Sequence, residues 1–163
     1  MNKATILAII LLAILGAGAL LVNREMRDAQ ARPAVQRQLS QSRLAQFAEA
    51  LKAYRDAHQA WPESMAQLLR EAKLPPTSTA VRGAGVYRYR KPSGPVPPDL
   101  VVMWSDRPHD GIKAGEPWGG EGGIATTDVP PVAYVLNGAL EIEALSPETW
   151  AKRIPPPGMA PAP

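Results

Sequence analysis

The chain has 163 residues, a formal charge of +3 and no cysteine. That length suits one modest domain with a real core. The missing cysteines exclude disulfides, thiolate metal sites and cysteine nucleophiles, and basic residues spread out with no interleaved aromatic platform argue against a nucleic-acid partner.

The first predicted element is apolar. Ala4 to Val22 is 19 residues without a charge, preceded by Met1-Asn2-Lys3. As a helix at about 1.5 Å per residue, such a run nearly matches a hydrocarbon core of roughly 30 Å. It is expected to be a single-pass membrane anchor or the apolar part of a signal peptide. Small-residue triplets at Ala17-Gly18-Ala19 and Ala29-Gln30-Ala31 keep the second alternative open. Lys3 stands before the run, and Arg24, Arg27, Arg32 and Arg37 stand after it. The positive-inside count alone would therefore put the body in the cytoplasm. Residues 23–33 form a polar juxtamembrane segment ending at Pro33.

From Ala34 the pattern predicts an amphipathic helix of about seven turns. Val35, Leu39, Phe47, Leu51, Tyr54 and His58 form one stripe, with Leu44 and Ala50 beside it. Arg37, Gln41 and Arg55 fall on the opposite face. The helix stops at Trp61-Pro62. Trp61 is expected to fold back on the apolar stripe, and Pro62 suits the first turn of a second helix, Met65 to Ala72. Pro75-Pro76 closes that helix.

Strands follow. Val86 to Arg90 alternates, and Asp99 to Asp106 is an apolar, β-prone run. Arg107 to about Pro131 is rich in glycine, proline and aspartate and is expected to be a loop. Val132 to Leu145 holds Asn137-Gly138 between two short β patterns, which predicts a hairpin with a type I′ turn. Ser146-Pro147-Glu148 predicts the start of a short helix. The tail at 155–163, PPPGMAPAP, is expected to be disordered, which leaves 34–154 as the head.

Charge is uneven. Arg24 to Asp56 holds seven basic and four acidic residues, and Asp99 to Glu148 holds two basic and nine acidic. Solvated surface explains this. Complementarity between the head of one copy and the stem of another, or attraction of the stem to anionic lipid, is the sharper alternative.

The order of elements, with Leu51, Tyr54, Trp61, Pro62 and Leu68-Leu69 at the corner, resembles type IV pilin-like proteins, above all the major pseudopilins of type II secretion systems. The family's peptidase motif is missing: Gly16 and Gly18 lie inside the apolar run, and no glutamate occurs before Glu25. The resemblance implies an α+β fold in which a transmembrane helix and long stem pack on a small antiparallel sheet. It also implies an inner-membrane protein with a periplasmic head. Its function would be structural, without enzymatic activity, through protein partners of a secretion or pilus-like assembly and through self-association. Calcium is the one ion in view, and no other cofactor is expected. Asp106, Asp110, Glu116, Glu121 and Asp128 bracket the glycine-rich loop with oxygen ligands, and the family's calcium loop lies in this part of the sheet. A tethered calcium- or ligand-binding module that does not polymerise is the alternative. Ser105, Asp106, His109 and Asp110 lie close in sequence, but a hydrolytic triad also requires spatial order and an oxyanion hole.

Overall fold

The computed structural model describes residues 32–81, 83–117 and 123–154. Helix α1 spans Pro33–His58 and helix α2 spans Met65–Glu71. A 3-10 turn, Pro76–Thr79, leads into five strands: β1 Ala80–Val81, β2 Gly85–Tyr89, β3 Val101–Ser105, β4 Ala133–Asn137 and β5 Ile142–Leu145. Helix α3, Pro147–Arg153, follows. The strands form one antiparallel sheet in chain order, β1 to β5.

Pro33 sits in the first turn of α1, where its missing N–H costs nothing. The helix ends at Gln59, whose N–H still bonds the carbonyl of Arg55 while its left-handed backbone turns the chain out of the helix. Leu44, Phe47 and Leu51 recur at three- and four-residue steps and are almost completely buried. They meet Leu68 of α2 and Tyr87, Val102, Met103 and Leu136 of the sheet in one core. The opposite sheet face packs Val101, Val135 and Leu145 with Ile154, beside Trp104 and Trp150. A register shift between Val101 and Met103 explains how three successive β3 residues are buried, since it turns Val101 to one face and Val102 and Met103 to the other.

The stripe expected on α1 was partly misplaced. Leu39 is 45% exposed and His58 is exposed, whereas Arg37 and Ser40 are buried. An apolar helix face is recognised from side-chain type, and here two polar side chains occupy it because the sheet and the 106–132 segment supply their hydrogen-bond partners. The second helix starts at Met65 as expected, but Pro62 does not stand in its first turn. Ser64 caps it, accepting from Gln67 N at 3.2 Å, and Pro62 lies before the cap, buried.

The hairpin is present, but its turn is different. A type I′ turn needs left-handed residues at Asn137 and Gly138. Gly138 has a negative φ, and Leu140 is the left-handed residue at 64°. Leu140 N donates to Asn137 O, and Asn137 Oδ1 accepts from Ala139 N and Glu141 N. Gly138 is needed for a different reason: a Cβ there would stand 2.3 Å from the Pro97 carbonyl oxygen.

The expected transmembrane architecture is corrected. Among the described residues no helix is long and apolar enough to cross a membrane. Helix α1 is long, but Arg43, Glu49, Lys52, Arg55 and Asp56 punctuate its outer side. The run 4–22 on which the single-pass, inner-membrane and periplasmic placement rested lies outside the described residues, as do Arg24 to Ala31 and the tail 155–163.

Candidate functional site: a ribbon stapled to the stem helix

The segment between β3 and β4 is a paired ribbon rather than an open loop. His109 and Val132 exchange two backbone hydrogen bonds of 2.8 and 3.2 Å. Ile112 and Val129 do the same at 2.9 and 2.8 Å. Gly115 N then donates to Ala125 O, Ala125 N donates to Glu116 O, and Pro117 bridges Ile124. Periodicity missed this pairing because prolines and glycines interrupt each side, leaving isolated bridges where a strand pattern would need a run.

Arg37 holds the base of the ribbon. Its Nη2 donates to Asp110 O at 2.7 Å and to Pro130 O at 2.9 Å, one carbonyl from each side of the ribbon. The side chain comes from the second turn of α1 and is 8% exposed. Burial lowers the pKa of its guanidinium, against the influence of Tyr134. Its Nε is buried without a hydrogen-bond partner. Sequence reading placed Arg37 on the solvent side. A basic residue two positions before a Leu gives no cue that it will serve main-chain carbonyls 73 and 93 positions away.

His109 is buried beside it, 3% exposed, with Nε2 unpartnered. The ring lies 5.9 Å from that of Tyr134. Burial holds its pKa below the usual histidine range, the Arg37 charge adds to this, and Asp110 opposes it. One turn along α1, the Ser40 and Tyr87 hydroxyls are 2.6 Å apart, and Tyr87 Oη donates to Ser40 O at 2.9 Å. Burial pushes the Tyr87 phenol up to about 12, with Ser40 and Arg43 opposing.

Beyond this base the ribbon faces solvent. Lys113 to Pro117 and Thr126 to Asp128 are exposed, and Ile124 is 64% exposed. Lys113 Nζ and Asp128 Oδ2 pair at 3.1 Å across the two sides. Asp128 also accepts from Ala114 N at 2.9 Å, and that bond first, then Lys113, holds its pKa below the usual range.

The described calcium candidates, Asp106, Asp110, Glu116 and Asp128, are not gathered into one site. Asp106 Oδ1 takes the Arg88 Nε–H at 2.6 Å, and Oδ2 accepts from Val86 N at 3.2 Å. Glu116 accepts from Lys113 N. Asp128 is engaged as above, Asp110 contributes its main-chain carbonyl to Arg37, and Glu121 lies outside the described residues with Trp118. Among the described residues no group of three or more histidine and carboxylate side chains is placed to hold a metal ion. Ser105 Oγ donates to Arg107 O at 2.9 Å, so serine and histidine do not form the nucleophile–base pair of a triad.

The corner residues do come together. Tyr54 Oη accepts from Gln67 Nε2 at 2.7 Å, and Tyr89 Oη donates to Pro62 O at 2.9 Å. Leu68 is fully buried in the same core, and the Arg55 guanidinium lies 4.5 Å from the centre of the Trp61 ring.

No family model, curated protein or solved structure matches the chain. None of these comparisons supports the pilin-like and secretion-system reading of the sequence, which is not carried further: it rests on a short corner motif and the order of elements, and helix–corner–sheet order alone is a general way to build two layers.

Proposed function

We propose that the chain is an interaction protein, acting by association with other polypeptides through the exposed half of its ribbon and the outer side of α1. One observation carries this reading. Arg37 fixes the base of the ribbon to the stem helix through a carbonyl on each side, while the distal half, with Ile124, is left to solvent. A fixed base lowers the entropic cost of ordering an exposed segment on a partner.

The missing cysteines give a direct test, since any introduced thiol is unique. Gln41→Cys labels the exposed side of α1. Gly123→Cys labels the ribbon near its tip, where an added Cβ meets open space. Gly115 is the poorer choice because its φ of +89° disfavours a side chain. Thiol cross-linking of each variant in its producing cells should give a discrete adduct from the ribbon position, identified by mass spectrometry as a second copy or a different protein. Absence of an adduct from both positions, with both thiols shown to be reactive, would overturn the reading.

A further inference from the structure

The base of the ribbon buries a cation and a histidine together. Arg37 and His109 are both buried, and Arg37 Nε and His109 Nε2 are both without a hydrogen-bond partner. His109 is also part of the ribbon's frame. Its backbone exchanges two hydrogen bonds with Val132, and the next residue, Asp110, gives one of the carbonyls that Arg37 holds. Bringing the ring to water therefore pulls on both fastenings. Among the described residues, the groups that face the ring come from four places. Helix α1 brings the Arg37 guanidinium, and β4 brings Tyr134, 5.9 Å away between ring centres. The turn before β2 brings main chain: a Cβ on Gly83 would stand 3.9 Å from His109 Nδ1 and 2.2 Å from Oε1 of Gln36, a neutral side chain. The ribbon brings Asp110, which is the one carboxylate of the set and is exposed, where water screens its charge.

We propose that His109 is an acid-sensitive release for the ribbon: when the ring takes a proton, the ribbon's base parts from α1 while the five-stranded sheet stays paired. A second cation beside Arg37 is unfavourable in a buried site whose hydrogen-bond acceptors are neutral carbonyls. Moving the ring into water relieves that repulsion. It also undoes the His109–Val132 pair and draws Asp110 O away from Arg37. Two observations confine the opening to the ribbon. Ile112 and Ala125 are buried beneath it, yet neither belongs to the hydrophobic clusters on the two sheet faces. The register that joins β3 to β4 runs through Val101, Met103 and Trp104 and includes no ribbon residue. The sign of the titration agrees. Burial first, then Arg37, hold the closed form's pKa below the usual histidine range, so closure is complete above the unfolded value and is lost as pH falls. The release would regulate the interaction surface proposed above and rests on that reading for its use alone, since the opening itself needs no partner.

The test is amide exchange of the full chain, without partner, at pH 7.5 and pH 5.0, read as protection factors so that the intrinsic pH dependence of exchange is divided out. A histidine that is proton-free in the closed form and ordinary in the open form raises opening by up to roughly thirtyfold over this interval. Protection at Ile112, Val129 and Val132 should therefore fall severalfold at pH 5.0, within that bound. It should also stand about tenfold or more below the protection of amides shared by β3 and β4, as an opening smaller than global unfolding requires. His109→Gln should remove the fall. His58→Gln, which changes the other histidine at the far end of α1, should keep it. Ribbon protection equal at the two pH values would overturn the proposal. So would ribbon and sheet amides of equal protection, because the ribbon would then open only with the whole fold, and so would a fall that persists in His109→Gln. His109→Leu answers the same question if the glutamine variant does not fold. A cross-linking experiment that yields no adduct would remove the interaction reading and leave these exchange results standing.

Discussion

The hydroxyl of Tyr87 on β2 and that of Ser40 on α1 form a closed pair. Tyr87 gives its proton to the Ser40 carbonyl at 2.9 Å, and Ser40 Oγ, 2.6 Å away, is left to donate to the phenol oxygen. Sheet and stem are thus joined by two buried hydrogen bonds. Tyr87→Phe keeps the ring and its edge contact with Phe47 at 5.6 Å, but leaves the Ser40 hydroxyl buried and unsatisfied. The expected loss is about 1–3 kcal/mol in a urea melt. The double variant with Ser40→Ala should recover part of it, because both partners are then removed. A Tyr87→Phe midpoint within error of the parent would refute this account.

His109 sets a pH dependence. Its folded pKa lies below the unfolded value, chiefly through burial and then through Arg37. The unfolded chain therefore binds the proton more readily. Stability is full above the unfolded value near 6.5 and falls as pH drops below it toward the folded value. Urea midpoints should be lower at pH 5.0 than at pH 7.5, a window that stays above the ordinary carboxylate range. His109→Gln should flatten that difference. An equal slope in the variant would assign the effect to other groups.

Arg37 should govern the ribbon more than the whole fold. Arg37→Met keeps the aliphatic stem and removes the donors to Asp110 O and Pro130 O. It also removes a buried cation that has no carboxylate among its hydrogen-bond partners, so the two effects on global stability oppose each other. The ribbon feels only the loss. Amide exchange at Ile112, Gly115, Ala125 and Val129 should speed by about tenfold or more, the equivalent of about 1.4 kcal/mol of local opening, while amides shared by β3 and β4 change little. Uniform acceleration across the sheet would show that Arg37 supports the fold as a whole.

These sites differ in how far the sequence revealed them. Regular elements were legible where a single periodicity ran uninterrupted: α1 from Pro33, the apolar β3, and α3 behind its Ser146 cap. The Tyr54, Pro62 and Leu68 corner was legible because an aromatic–proline pair interrupts a helical stripe. The ribbon and the Arg37 staple were not. Their bonds run between main-chain carbonyls and one guanidinium across long sequence separations, and side-chain pattern carries no trace of them. The acidic residues looked like an ion site for a similar reason: nearness in sequence hides the fact that Asp106 faces Arg88 while Asp128 faces Lys113.

The β4–β5 turn separates two uses of glycine. Gly138 has ordinary φ but no room, since an added Cβ would press on Pro97 O at 2.3 Å and Val96 Cγ1 at 2.6 Å. Gly94 has a left-handed φ of 75° and open space. Gly138→Ala must displace backbone and should cost roughly 1–3 kcal/mol or more. Gly94→Ala pays only the left-handed penalty, about 1–2 kcal/mol. The distinguishing observation is structural: Gly138→Ala should shift the amide resonances of both Val96 to Leu100 and Asn137 to Glu141, whereas Gly94→Ala should leave the hairpin unmoved. A silent hairpin in Gly138→Ala would mean that the 91–100 segment yields freely and does not brace the turn.

The corner gives the last prediction, because burial reverses the order that side-chain size suggests. Trp61 is the larger residue, yet it is only partly buried, with Arg55 lying over its ring. Leu68 is completely buried between α1, α2 and the sheet. Full large-to-small truncation in a core costs about 2–5 kcal/mol for leucine, and the figure of about 3–5 kcal/mol for tryptophan applies to complete burial. Leu68→Ala should therefore destabilise more than Trp61→Ala in paired urea melts. Trp61→Ala should also release Arg55, whose stacking on an exposed ring contributes roughly 0.5–1 kcal/mol. If the tryptophan variant proves the weaker protein, the ring must be holding the corner through contacts beyond its buried edge.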